Sequence, residues 1–154
     1  MQVKFARRES VADAIVGIVH GALSSIDAAL YRFNHPSLAR ALEEAARRGI
    51  RVRLLLDGNK YVESRITQEL LAGAIIPFRL AFGRQGRGSK MHHKFVILDQ
   101  QTVLTGSYNW TKESEEENYE NLLILREPDP VVAYTQEFEA LWSAAAWDGS
   151  KEPK

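Results

Sequence analysis

HHKFVILDQQTVLTGSYN, residues 92–109, places an imidazole, an ammonium group, a carboxylate and an amide around one short strand and the turn after it. The polar positions have the spacing H-x-K-x4-D-x6-G-S-x-N, which occurs once in the chain and is formed by His92, Lys94, Asp99, Gly106, Ser107 and Asn109. Alternate side chains of a strand share a face, so His92 and Lys94 point together while His93 and Phe95 point the other way. His92 is therefore predicted to be the working imidazole.

Outward from this stretch, strand and helix patterns alternate along the chain. Strands are predicted at 3–5, 25–33, 51–56, 75–80, 93–98, 102–105 and 121–126. Helices are predicted after a Ser10 cap and at 36–48, 64–72 and 130–146. This alternation predicts the α/β class, with a mixed sheet covered by helices on both faces.

The sequence also predicts how some of these elements are connected. A turn is predicted at Asp57-Gly58-Asn59, and a flexible glycine-rich loop at residues 83–90. Residues 3–147 are expected to form a single domain, followed by a flexible tail at 148–154. No internal repeat or linker interrupts the pattern.

Composition narrows the function classes. The chain has 154 residues, 45% of them apolar, with a formal net charge of zero and no cysteine. The lack of cysteine excludes disulfides, thiol nucleophiles and zinc sites built on thiolates. No apolar run is long enough to span a membrane, so no membrane anchor is predicted. The first nine residues lack a signal-peptide pattern, which leaves a cytosolic protein or one whose leader has been removed.

Charge is distributed unevenly. Between Leu70 and Leu98 there is no acid, whereas the basic residues there are Arg79, Arg84, Arg87, Lys90 and Lys94. The segment 113–120 is the opposite, with five glutamates. Arg84, Arg87 and Lys90 either guide a phosphate-bearing substrate or belong to an ordinary solvated loop. Their place just before a phosphate-binding pattern favours substrate binding.

The pattern suits chemistry at phosphorus. A neutral imidazole can attack phosphorus, and an ordinary pKa of about 6.5 leaves His92 mostly neutral at pH 7. Lys94 can bind a phosphate oxygen as a point charge, and the Asn109 amide can donate to the same oxygens. Asp99 either orients a polar partner or caps the turn toward Thr102. The set supplies a nucleophile and a clamp for developing charge without a metal-ligand cluster.

These residues resemble the HKD motif of the phospholipase D superfamily without a departure. The segments 25–33, 45–57 and 118–121 are also similar to the small bacterial Nuc-type endonucleases of that superfamily. The resemblance implies a phospholipase D-like fold and a reaction that needs no metal or cofactor. His92 would form a phosphohistidine, Lys94 and Asn109 would bind the phosphate, and Ser107 would line the pocket.

The resemblance also assigns the remaining acids. Asp99 would be mainly structural, although as a member of the motif it is included among the candidate catalytic residues. Glu120 stands where such nucleases have a carboxylate that hydrogen-bonds the catalytic imidazole. Glu120 is equally compatible with a solvated acid in an acidic run.

A single motif has a mechanistic consequence. One imidazole cannot attack phosphorus and protonate the leaving oxygen in the same step. The other histidines, His20, His35 and His93, do not form a second H-x-K pattern. We therefore predict a two-fold homodimer whose partner supplies the second His92 to a shared site.

Three functions fit the pattern: an endonuclease acting on DNA or RNA, a phospholipid phosphodiesterase or transphosphatidylase, and an inactive nucleic-acid-binding module. The basic loop favours the first, and the absence of an amphipathic basic helix counts against the second. The intact motif counts against the third, because binding alone does not need His92. The aromatic residues Tyr61, Phe82, Tyr108 and Trp110 are either stacking surfaces for single strands or core residues.

Overall fold

The structure is a computed structural model and describes residues 1–145. Its strands are β1 (Gln2–Phe5), β2 (Ser25–Leu30), β3 (Arg51–Asp57), β4 (Phe78–Ala81), β5 (Lys94–Leu98), β6 (Thr102–Gly106) and β7 (Asn121–Leu125). Its helices are α1 (Val11–His20), α2 (Pro36–Arg47), α3 (Gly58–Glu63), α4 (Arg65–Leu71), α5 (Lys112–Glu116) and α6 (Pro128–Ala144).

All seven strands form one mixed sheet in the order β1-β7-β6-β5-β2-β3-β4, which places β5 in the middle. β2, β3 and β4 run parallel, and the other neighbours are antiparallel. Lys94 pairs with Leu30, and Asp57 with Ala81, so the start of β5 and the carboxyl ends of the parallel strands share one end of the sheet. We call this the Lys94 end. Ligands of open α/β sheets commonly bind at such an end.

The two faces of the sheet carry separate cores. On β2, Ala28 and Leu30 pack toward the face covered by α1 and α2, whereas Ala29 packs with Phe95 toward the face covered by Phe138 of α6. This alternation follows from the two-residue period of a strand. The prediction of an α/β fold with helices on both faces of a mixed sheet is confirmed.

Several predicted boundaries were wrong. β2 ends at Leu30 rather than at residue 33, because Leu30–Lys94 is the last pair with β5; the Tyr31 N–H makes one further bond, to the His93 carbonyl at 2.8 Å. The strand predicted at 75–80 begins only at Phe78, directly after Pro77. α6 begins at Pro128 rather than at residue 130, since proline is tolerated at the first helical position.

Two helices replace predicted irregular segments. The turn predicted at Asp57-Gly58-Asn59 is the start of α3, where Asp57 Oδ2 accepts the Lys60 N–H at 3.0 Å as a helix cap. α5, at Lys112–Glu116, was not predicted. The predicted tail at 148–154 lies outside the described residues, and the single-domain boundaries at 3–147 stay a prediction.

Candidate active site

His92 projects from a backbone that is fixed on both sides. The Met91 N–H donates to Asp57 Oδ1 at 2.9 Å, and the His93 carbonyl accepts the Tyr31 N–H at 2.8 Å. The His92 ring packs against the Tyr31 ring, with centroids 4.4 Å apart and planes inclined by 56°. His92 itself is exposed, so its imidazole can meet a substrate while its backbone stays anchored.

Lys94 lies beside this imidazole. Its Nζ is 3.4 Å from His92 Nδ1, donates to the His92 carbonyl at 3.0 Å and sits 5.3 Å from the Tyr31 ring centroid. His93 points the other way, with Nε2 3.7 Å from a Glu137 carboxylate oxygen on α6. The structure thus brings His92 and Lys94 together on one side, as strand alternation predicts.

Partial burial of the ring and neighbouring positive charges hold the pKa of the His92 imidazole below its ordinary value. Burial lowers the pKa of His92, and the positive charges of Lys94 and Lys90 lower it further, against a smaller opposing effect of Asp57. Burial also lowers the pKa of Lys94, which the negative charge of Glu120 partly offsets. At pH 7 the site therefore holds an unprotonated imidazole, which is the form that can act as a nucleophile.

The turn after β6 supplies hydroxyl and amide groups. Ser107 Oγ donates to Glu120 Oε1 at 3.1 Å, and Ser114 Oγ donates to Glu120 Oε2 at 2.6 Å. The Asn109 N–H donates to Ser114 Oγ at 3.2 Å, while Asn109 Oδ1 has no hydrogen-bond partner within residues 1–145. The Asn109 side chain is therefore not committed to the protein through this oxygen.

The chain must pass unusually close to itself at this turn. Gly106 has φ +143°, and a Cβ there would lie 2.4 Å from the Asn121 carbonyl oxygen. The adjacent Asn121 N–H donates to Ser107 Oγ at 3.0 Å. Glycine at this position lets Ser107 reach Glu120.

Glu120 does not bond the imidazole of its own chain. Its two oxygens are the acceptors of Ser107 and Ser114, and its effect on the site is electrostatic, through Lys94. The expectation that Glu120 hydrogen-bonds His92 is therefore not met within one chain. Glu120 lies near enough to Lys94 to affect its pKa, and its hydroxyl partners Ser107 and Ser114 were not predicted from the sequence.

Asp99 lies at the opposite end of β5 from Lys94, about 16 Å away at the usual rise per strand residue. Its carboxylate accepts the N–H groups of Leu23, Ser24 and Ser25 at 2.8–3.1 Å. It therefore joins the end of β5 to the start of β2, rather than capping the turn toward Thr102. Its inclusion with the catalytic residues is corrected, because it does not lie near His92.

The basic loop at 83–90 is closed by hydrogen bonds rather than extended. The Gly83 N–H donates to the Ser89 carbonyl at 3.0 Å, and Asn59 Nδ2 donates to the Arg87 carbonyl at 2.8 Å. The side chains of Arg84, Arg87 and Lys90 are exposed. Lys90 is close enough to lower the pKa of His92, so this end of the loop adjoins the site.

Three neighbours of the site were not predicted from the sequence: Tyr31, Asp57 and Lys60. Tyr31 supports His92, and Asp57 is fully buried where it holds the Met91 backbone. The only sequence signal for Asp57 is an acid at the end of an apolar strand, which reads equally well as a turn residue. Tyr31, Asp57 and Lys60 all line a groove of about 420 Å³.

The four aromatic residues considered as stacking surfaces fall into two groups, buried and half-buried. Tyr108 and Trp110 are each 2% exposed, so they are core residues and not stacking surfaces. Tyr61 is half-buried in the wall of the groove, and the half-buried Phe82 lies under the Arg87 guanidinium. Only these two can meet a substrate.

Residues 15–142 match the protein family described as "Cardiolipin synthase, PLD-like domain". The chain belongs to the phospholipase D superfamily. Its sequence is 40% identical over 122 residues to a mitochondrial cardiolipin hydrolase of Xenopus laevis, covering 79% of this chain and 56% of that protein. The chain thus spans about half the length of the curated relatives it matches.

Solved structures extend the similarity to the Nuc type. A phospholipase D family member, Nuc from Salmonella typhimurium, superposes with a TM-score of 0.84 at 27% identity, over 95% of each chain. NucT from Helicobacter pylori shares the fold with a TM-score of 0.83 at 23% identity, over 95% of this chain and 99% of that one. The chain is therefore a phospholipase D superfamily member with the fold of the Nuc type.

Within residues 1–145, no helix combines the length and the apolar character needed to cross a membrane. Over the same residues, no three His, Asp or Glu side chains are arranged to hold a metal ion.

Proposed function

We propose that this chain is an endonuclease that hydrolyses nucleic-acid phosphodiester bonds with little sequence preference and without a metal ion. The observation that carries the proposal is the His92 imidazole beside the Lys94 ammonium, in contact with Tyr31, whose ring borders a groove. The whole-chain similarity to Nuc and the exposed basic loop next to the site support nucleic acid as the substrate.

In the first step an unprotonated nitrogen of His92 attacks phosphorus. A P–N bond forms, the P–O bond to the leaving oxygen breaks, and the result is a phosphohistidine. Lys94 and the Asn109 amide bind the non-bridging oxygens, whose charge grows in the transition state. Ser107 lines the same pocket through its place on the turn after β6.

The leaving oxygen needs a proton, and a second imidazole must supply it. Within residues 1–145 the remaining histidines are engaged elsewhere: His20 with Glu44, His35 at the start of α2, and His93 near Glu137. In this proposal the two imidazoles of the shared site hold one proton between them: His92 of one chain is unprotonated and attacks, while the partner's His92 starts protonated, acts as the acid and becomes unprotonated when the leaving group departs. It then takes a proton from the water that attacks phosphorus and breaks the P–N bond, which restores both imidazoles.

Exposed aromatic side chains support a dimer interface beside the site. Phe5 and Tyr119 are 49% and 86% exposed, and both lie at the Lys94 end next to Glu120. An exposed apolar patch rimmed by charges is typical of a protein contact. Because Glu120 does not bond its own His92, any orienting role requires the imidazole of the partner subunit. An active monomer in analytical ultracentrifugation would contradict the homodimer.

The test compares wild type, His92→Ala and His93→Ala on single- and double-stranded DNA and RNA oligonucleotides in EDTA. We expect wild type and His93→Ala to cleave, because His93 faces α6, and His92→Ala to be inactive. Retained activity in His92→Ala would contradict the nucleophile. Loss of wild-type cleavage on adding EDTA would contradict the metal-free mechanism.

The second candidate is phospholipid hydrolysis, which the 40% identity to a cardiolipin hydrolase favours. Vesicles of phosphatidylcholine, with and without cardiolipin, belong in the same assay. Cleavage of either lipid by wild type, together with no cleavage of any oligonucleotide, would replace the nuclease proposal with this one. An inactive binding module is excluded by cleavage of either substrate class.

A further inference from the structure

The groove beside the site extends away from His92 along the parallel half of the sheet. It begins at Tyr31, whose ring contacts His92, and reaches α3 and α4 through Lys60 and Tyr61. The residues of the basic loop do not line it. A substrate bound at His92 can therefore continue into the groove without crossing Arg84 or Arg87.

Lys60 is the groove cation that lies over the same Tyr31 ring as Lys94. Its Nζ lies 5.7 Å from the Tyr31 ring centroid, and Lys94 Nζ lies 5.3 Å from the same centroid. The two ammonium groups are thus at most about 11 Å apart, whereas a stacked strand carries one phosphate per about 3.4 Å of rise. Because this value is an upper limit, a phosphate bound by Lys60 is expected within about three nucleotides of the phosphate bound by Lys94.

The Lys60 ammonium can exchange its present partner for a phosphate. It is bonded to Glu63 at 3.1 Å, and the Glu63 side chain is 62% exposed. Exposed pairs of this kind contribute little to stability, so a phosphate can displace the glutamate. The buried acid of the groove, Asp57, is occupied by the backbone N–H groups of Met91 and Lys60 and does not compete for the ammonium.

We propose that Lys60 binds a second phosphate of the substrate strand while Lys94 binds the scissile one. This inference rests on the proposed nuclease function and narrows its substrate to a nucleic-acid strand with at least two phosphodiesters. A single phosphodiester without a neighbouring phosphate fills only the His92 and Lys94 part of the site. Lys60 therefore contributes to substrate selection and not to the chemical step.

The test compares Lys60→Gln and Lys60→Arg with wild type on two substrates, a thymidine oligonucleotide and bis(p-nitrophenyl) phosphate. Lys4→Gln is the matched control, because Lys4 is also a half-buried lysine bonded to a glutamate at 3.1 Å. For the oligonucleotide we expect Lys60→Gln to raise KM about five-fold and to reduce the salt-dependence slope by about 0.7. We expect Lys60→Arg and Lys4→Gln to behave as wild type, and KM for the small ester to stay unchanged in every variant.

The outcomes separate this inference from the proposed function. Equal KM values of wild type and Lys60→Gln on the oligonucleotide, or equal losses on both substrates, would overturn the role of Lys60 alone. Failure of wild type to cleave the oligonucleotide, with His92-dependent cleavage of the small ester, would overturn both. A KM effect confined to cardiolipin vesicles would assign the second phosphate to a lipid and overturn the proposal as stated.

Discussion

Replacement of Asp99 is predicted to lower stability and to leave the chemical step intact, although Asp99 shares a motif with His92. The carboxylate accepts three backbone N–H groups and the Ser24 hydroxyl, all from the segment that begins β2. These contacts tie β2 to β5 at the end of the sheet opposite Lys94. Their loss therefore weakens the sheet far from the reacting groups.

The expected loss of stability depends on what each oxygen of the Asp99 carboxylate accepts. Asp99→Ala removes the acceptor for three N–H groups, at about 1 kcal/mol each in this partly exposed place, so we expect a loss of about 3 kcal/mol. Oδ1 alone lies within 3.1 Å of all three N–H groups and the hydroxyl. Asp99→Asn keeps that oxygen but loses the charge and replaces Oδ2, the second acceptor of the Leu23 N–H, by a donor, so we expect a smaller loss of about 1–2 kcal/mol.

The effect also depends on pH. Burial raises the pKa of Asp99, but the hydrogen bonds from Ser24, Ser25 and Leu23 outweigh this and hold it below the ordinary value of 3.8. A carboxylate with a depressed folded pKa stabilises the fold above its unfolded pKa and loses that contribution as pH falls through the folded pKa. The stability difference between wild type and Asp99→Asn should thus be constant near neutrality and shrink below pH 3.8.

The assay combines urea unfolding, followed by the fluorescence of the buried Trp110, with kcat for bis(p-nitrophenyl) phosphate well below the unfolding temperature. Asp129→Asn, an exposed aspartate in the first turn of α6, is the control. We expect the free energy of unfolding to decrease from wild type to Asp99→Asn to Asp99→Ala, and kcat to be equal for all folded variants. An inactive Asp99→Asn with unchanged unfolding free energy would refute the structural role.

Three other changes test the surroundings of the imidazole. Lys90→Gln should raise the apparent pKa of the acid limb of the kcat/KM profile toward the ordinary histidine value, because the lysine charge helps to lower the pKa of His92. An unchanged apparent pKa in a profile measured at low salt would contradict this. Replacing Arg84 and Arg87 together by Gln should weaken oligonucleotide binding and flatten its salt dependence at unchanged kcat, whereas an unchanged slope would make the loop ordinary surface. Asp57→Asn should lower kcat at least about ten-fold and the free energy of unfolding by about 2 kcal/mol, because the new amide group directs a donor at a backbone N–H. Steady-state kinetics and urea unfolding measure the two effects, and an unchanged kcat would contradict a positioning role for Asp57.

Much of the fold was predictable because its signals are local. Strand alternation separated His92 from His93, and the buried run at 25–30 was recognisable as an inner strand. The Ser10 cap and Pro36 marked the starts of α1 and α2 as predicted. These features depend on neighbours within a few residues, which the sequence displays directly.

The errors concern contacts between distant segments. Asp99 bonds residues some 75 positions earlier, and the Tyr31 ring meets His92 only because β2 pairs with β5. Neither pairing is visible in the local pattern. Glu120 was found through its position in the family motif, but its hydroxyl partner Ser114 lies on α5, a short helix that the glutamate-rich sequence did not reveal.

The start of α3 shows a different kind of error. Asp57-Gly58-Asn59 has the composition of a turn, but it begins a helix in which Asp57 Oδ2 accepts the Lys60 N–H, and Gly58 lies where a Cβ would be 2.4 Å from the Phe82 ring. The other oxygen of Asp57 accepts the N–H of Met91, the residue before His92. The groove and Lys60 follow from this helix, which is why the sequence did not predict them.

The central claim is that two chains share one site and that each contributes its His92. The most direct measurement uses a heterodimer of wild-type and His92→Ala chains, co-expressed with different tags and purified through both. Because the shared site then has one imidazole, we predict that the heterodimer cleaves oligonucleotides, whose leaving oxygen needs a proton, no faster than the His92→Ala homodimer. A heterodimer with about half the wild-type activity would show that each chain works alone, and it would contradict the account.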